Sequence, residues 1–81
     1  MIFGVSDIKG IIKNSGNVVI DYNTLTFGVS DLKALAKEAK SNNVTFTIRN
    51  AFKIGKSDLK AIAKSGEGAV IIELCSSNVK D

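Results

Sequence analysis

The sequence predicts an α/β fold made of three helix–strand units of about 26 residues, stacked as a short right-handed solenoid. Its sheet is expected to be three-stranded and parallel, in order 1-2-3, with three helices on one face. Two observations lead there. A polar block occurs three times, as Ser6-Asp7-Ile8-Lys9, Ser30-Asp31-Leu32-Lys33 and Ser57-Asp58-Leu59-Lys60, each time after an apolar residue and a glycine. Each block is followed by a run rich in β-branched residues, and Val18, Val44 and Val70 at the heads of these runs stand 26 residues apart. The polar blocks are spaced less evenly, by 24 and then 27 residues, which assigns the length variation to the helices and their loops.

Each polar block reads as a helix start. Serine is a favoured N-cap because its hydroxyl accepts from a free first-turn amide, and the aspartate after it complements the helix dipole. Apolar residues then follow helical spacing: Ile8, Ile11 and Ile12; Leu32, Leu35, Ala36 and Ala39; Leu59, Ile62 and Ala63. Each set predicts one buried stripe. Stops are expected at Asn14-Ser15-Gly16, Ser41-Asn42-Asn43 and Ser65-Gly66, where asparagine or glycine accepts a left-handed cap.

The runs Val18–Tyr22, Val44–Ile48 and Val70–Leu74 read as strands. Alternation sends Val18, Ile20 and Tyr22, with Val44, Phe46, Ile48 and Val70, Ile72, Leu74, toward the helices. The opposite face would then carry three columns: Val19, Thr45, Ile71; Asp21, Thr47, Glu73; and Asn23, Arg49, Cys75. One helix between successive strands requires parallel pairing by crossover. Leu25–Phe27 and Phe52–Ile54 are expected to close one end of the core, and Met1-Ile2-Phe3 resembles Leu25-Thr26-Phe27. The whole chain, 1–81, is one domain with units at about 4–27, 28–54 and 55–81.

In Ile20-x-Tyr22-x-x-Leu25, Phe46-x-Ile48-x-x-Ala51 and Ile72-x-Leu74-x-x-Ser77 the chain resembles leucine-rich-repeat solenoids with a helix on the outer side. It departs from their pattern at both ends. Asn17, Asn43 and Ala69 stand where the family has a leucine, and Leu25, Ala51 and Ser77 where it has asparagine or cysteine. The resemblance implies an exposed sheet face that binds a protein partner.

Composition narrows the function. Of 81 residues, 44% are hydrophobic, which is ordinary for a folded domain. No apolar run approaches the roughly 18–20 residues of a membrane helix, and the first residues lack the features of a signal peptide. With Cys75 alone, no internal disulfide forms, and a reducing, cytoplasmic setting is expected. Histidine is absent, which removes the commonest general base and metal ligand. Cys75 therefore has no partner base, and Gly66-Glu67-Gly68 precedes a strand where a phosphate loop would follow one. Asp21 and Glu73, expected about 9–10 Å apart, have no cleft for a sugar between them. The expectation is a protein without enzymatic activity, cofactor, metal, small-molecule substrate or membrane contact.

Two surfaces remain. The exposed sheet face, with Val19, Asp21, Thr45, Thr47, Arg49, Ile71 and Glu73, sets an apolar strip beside a polar one and suits a protein partner. The edge strand Val70-Ile71-Ile72, guarded only by Glu73, suits self-association unless Ser76–Asp81 folds back over it. Ranked below these is nucleic-acid or other polyanion binding by two lysine rows on the helices: Lys9, Lys33 and Lys60, then Lys13, Lys37 and Lys64. The net charge of +3 is mild for that role, and Asp7, Asp31 and Asp58 dilute the field.

Overall fold

Each helix begins on a glycine. Helices α1 (Val5–Lys13), α2 (Val29–Ser41) and α3 (Lys56–Gly66) follow Gly4, Gly28 and Gly55, all with extended backbone, in a computed structural model that describes residues 3–75. The serine expected to cap each helix is its second residue, and the aspartate is its third. A carboxylate at that third position can reach back to the cap. In α1 it does so, the Gly4 N–H donating to Asp7 Oδ2 at 2.9 Å.

The first two helices end alike. Ser15 (φ 69°) and Asn43 (φ 56°) take the left-handed conformation. Gly16 N–H then donates to the Ile11 carbonyl at 2.9 Å and Val44 N–H to that of Ala39 at 3.0 Å, closing each last turn. The third helix differs from expectation. Gly66 stays helical and buried, and the left-handed residues are Glu67 (φ 45°) and Gly68 (φ 94°). Glycine is needed at 66 for packing: a Cβ there would collide with the Val70 side chain and stand 3.3 Å from the Ala36 Cβ.

Strands β1 (Val18–Asp21), β2 (Phe46–Arg49) and β3 (Val70–Ile72) form a parallel sheet in order β1-β2-β3. The fold is thus α/β, with three helices and a three-stranded sheet among the described residues. Ile20, Phe46 and Ile48 join Ile8, Ile12, Leu32, Leu35, Ala36, Ala39 and Ile62 in one core, with Val18, Val70 and Ile72 packed against it. Helix α2 lies between α1 and α3. The stripes are buried in full only on α2, because Ile11 and Ala63 on the outer helices are exposed.

The strands are shorter than predicted. Tyr22 leaves the sheet and donates its hydroxyl proton to the Phe27 carbonyl at 3.2 Å, while Leu74 is exposed instead of facing the core. Beyond β2, Asn50 (φ 56°) turns the chain into a 3-10 turn, Ala51–Lys53. The Ala51 and Phe52 amides donate to the Glu73 and Leu74 carbonyls at 2.9 and 3.1 Å. These bonds explain why the segment expected as a loop is held in place, with Ile54 buried beneath it.

The register corrects the predicted columns. Val18 pairs with Phe46, and Phe46 with Val70, so the offset is 28 residues and then 24 in place of an even 26. Relative to the even spacing, β2 has slid by two residues. A shift of two preserves which face each side chain occupies and changes only its neighbours. Among the described residues, no helix is long and apolar enough to cross a membrane. The predicted cap at Ser76–Asp81, the position of Ser77 and the start at Met1-Ile2 lie outside the described residues.

Candidate functional site

The face of the sheet turned away from the helices carries the most organised group of side chains. Its first column is Val19–Thr47–Ile71 and its second is Asp21–Arg49 with Glu73 beyond Ile72 on the third strand. Thr45, expected between the two aliphatic residues, lies before β2 instead. Its amide receives no strand partner and donates to Asn17 Oδ1 at 2.8 Å. Thr47 takes its place at the centre of the face and is only 7% exposed, while Val19 and Ile71 at the edges are 53% and 49% exposed.

The slide in register brings Arg49 between the two acids. Its Nε lies 3.1 Å from Glu73 Oε1, and on its other side it pairs in register with Asp21. Both members of the Arg49–Glu73 pair are well exposed, so the pair stabilises the fold by no more than about 0.2–1 kcal/mol. Its larger effect is to order the polar column.

Asp21 is the best-held of the three. Its Oδ1 accepts from the Asn50 side-chain amide at 2.8 Å and from the Asn23 backbone at 2.9 Å. Its main-chain carbonyl closes the following turn by accepting from Thr24 and Leu25 N–H at 2.9 and 2.8 Å. The bond from Asn50, then that from Asn23, with smaller help from the positive charges of Arg49 and Lys53, lowers the carboxyl below its ordinary value of 3.8. Asp21 is therefore a fixed negative charge at neutral pH.

Asn50 was not anticipated from the sequence. It is buried, left-handed and bonded across strands to Asp21. The available signal was an asparagine directly after a β-run, since asparagine is the residue after glycine most tolerant of positive φ. Phe52 was expected with Ile54 to close the end of the core, and its exposure, 57% beside Lys53, was likewise missed. So was a groove of about 210 Å³ between α1 and the outer edge of β1, lined by Phe3, Ile11, Val19 and Leu25 among others.

The lysines lie apart from this face. Lys13, Lys33, Lys37, Lys60 and Lys64 are exposed on the helices, and Lys9 is half-buried. Among the described residues the one ion pair is Arg49–Glu73, so no carboxylate of those residues holds these ammonium groups. A second, more open depression of about 270 Å³ lies between Lys40, Thr45 and Glu67, at the end of the sheet where the strands begin. Cys75 is exposed at the opposite end. Set against family models, curated proteins and solved structures, the chain matches none of them.

Proposed function

We propose that this protein is a non-enzymatic interaction module, a short right-handed stack of three repeat units of the leucine-rich-repeat kind, working in a reducing, cytoplasmic setting. Its partner is another protein, or a second copy of this chain in self-association, met through the open sheet face or a sheet edge. One observation supports this reading above the others: Val19 and Ile71 are half exposed on a face that no helix of the described residues covers, beside an ordered Asp21–Arg49–Glu73 column. Apolar contact surface next to fixed charges of both signs favours a protein ligand with its own apolar strip and complementary charges.

Selection of peptides from a random library on the immobilised protein tests the reading. Peptides recovered on the wild type should bind at least tenfold more weakly to Ile71→Lys and Arg49→Glu, and equally well to Lys33→Glu/Lys60→Glu. Recovery of peptides indifferent to both face variants would reject the assignment.

A second reading, polyanion binding by the helix lysines, draws on the exposure of all but Lys9 and on the lack of carboxylate partners among the described residues. Binding to a single-stranded oligonucleotide would then fall steeply with added salt and vanish in Lys33→Glu/Lys60→Glu. Salt-insensitive or absent oligonucleotide binding removes it.

A further inference from the structure

The two ends of the molecule are complementary to each other. Counted from the N-cap glycines, Ile11, Leu35 and Ile62 hold the seventh position of their helices, and Ile12, Ala36 and Ala63 the eighth. At about 100° per residue, these two positions flank the buried stripe on opposite sides. On the central helix α2 both Leu35 and Ala36 are fully buried. On α1 the eighth residue is buried and the seventh, Ile11, is 42% exposed. On α3 the pattern reverses, with Ile62 buried and Ala63 exposed. Ala36 faces α3, as its approach to the Cβ position of Gly66 shows. Each helix thus turns its eighth position toward the next helix and its seventh toward the one before. The molecule ends with one of each unfilled.

Charge follows the same polarity. The third-position aspartates lie on the flank of the seventh position, and the fifth-position lysines on the flank of the eighth. Asp31 and Asp58, each beside a preceding helix, are half-buried, whereas Asp7 is exposed. The free flank of α1 therefore carries Asp7 with Ile11, and the free flank of α3 carries Lys56 and Lys60 with Ala63. Among the described residues the sheet is open at the same ends. Val18 and Tyr22 N–H donate toward β2, which leaves the Val19 backbone and the Asp21 N–H on the outer edge of β1, the Asp21 carbonyl being taken by Thr24 and Leu25. Glu73 N–H donates to Ile48, which leaves Val70 and Ile72 on the outer edge of β3.

We propose that a second copy of this chain docks end to end, α3 and β3 of one copy against α1 and β1 of the next. This deepens the self-association part of the function proposed above and rests on it. Ala63 meets the next copy's Ile11 as Ala36 meets α3 within the chain, Lys60 approaches the next copy's Asp7, and Ile71 continues the apolar column to the next copy's Val19. The groove beside Phe3 is covered in the process. Glu73 and the next copy's Asp21 form the one like-charge approach, tempered by Arg49, which already engages Glu73. The contact is heterologous, so it repeats and builds chains longer than a dimer.

Sedimentation velocity of the full chain, from about 10 µM to about 1 mM, tests this. The wild type should grow in mass beyond the dimer with concentration. Ile11→Arg and Ala63→Arg change exposed positions, so circular dichroism and melting should show both folded. Each alone should associate at least tenfold more weakly than the wild type. Mixed in equal amounts they should form a one-to-one dimer and nothing larger, because each keeps the end that the other has lost. A wild type that stays monomeric, a mixture that does not dimerise, or either variant associating as the wild type does overturns the proposal. Thr47→Lys, at the centre of the sheet face and checked for folding by the same measurements because Thr47 is buried, should leave the assembly intact. If Thr47→Lys alone abolishes it, the contact runs through the sheet face: end-to-end docking fails and the interaction module stands.

Discussion

Two glycines inside helices should respond to the same substitution with opposite sign. Glycine in a helix costs about 0.5–1 kcal/mol relative to alanine, so Gly→Ala is stabilising wherever a methyl fits. At Gly10 in α1 nothing lies within 4 Å of the new Cβ, and Gly10→Ala should raise stability by about 0.5–1 kcal/mol. At Gly66 the Cβ would run into Val70 and crowd Ala36. Valine is stiff at χ1 and Ala36 has no rotamer to change, so backbone must shift between α3 and β3. Overpacking of this kind costs about 1–3 kcal/mol, which exceeds the helical gain. The two variants should therefore differ by about 2 kcal/mol, or roughly 8–16 °C in Tm for a domain of this size. Thermal and urea unfolding followed by circular dichroism measure both. Val70→Ala should relieve the clash, so the Gly66→Ala/Val70→Ala cycle should show a favourable coupling of about 1 kcal/mol. If Gly66→Ala raises Tm as Gly10→Ala does, the close packing of α3 on β3 is refuted.

The two flanks of the helix layer differ in the same way: Leu35→Ala, fully buried, should cost about 2–5 kcal/mol, whereas Ile11→Ala at the equivalent but exposed position should cost about 1 kcal/mol or less in dilute monomer. Equal losses on urea unfolding would contradict the exposed flank. Asp21 has a carboxyl pKa lowered by folding, so its contribution is complete above 3.8 and is lost as pH falls through the lower folded value. Asp21→Asn, which can still accept both hydrogen bonds, should flatten the acid limb of a Tm-against-pH curve below about pH 4. An unchanged limb would place the acid sensitivity elsewhere. Asn50→Gly keeps the left-handed backbone and loses the bond to Asp21, while Asn50→Ala loses both, so alanine should be the worse by about 1 kcal/mol in chemical denaturation. Equal stability of the two would deny that φ at residue 50 matters.

Much of this architecture is legible without coordinates because it depends on local periodicity. The spacing of Leu32, Leu35, Ala36 and Ala39 has one reading, a helix with one buried face, and the structure bears it out. The caps were misplaced for a local reason as well. Serine and glycine both suit the N-cap; glycine takes it in all three helices, and in α1 the third-position Asp7 reaches the cap amide. Ile11 and Ala63 failed for a different reason: their burial needs a further helix beside them, and α1 and α3 each have a neighbour on one side only.

By itself the chain of residues determined the order of helices and strands, their parallel pairing and, within the strands as formed, which side chains turn toward the helices. All of these follow from periods of 3.6 and 2 and from the geometry of a crossover. Tertiary structure alone decided the register of β2. A slide of two residues leaves every apolar side chain on the same face, so alternation is blind to it. The turn at Asn50 and the Ala51 and Phe52 bonds to β3 choose between the alternatives, and that choice sets Arg49 between Asp21 and Glu73.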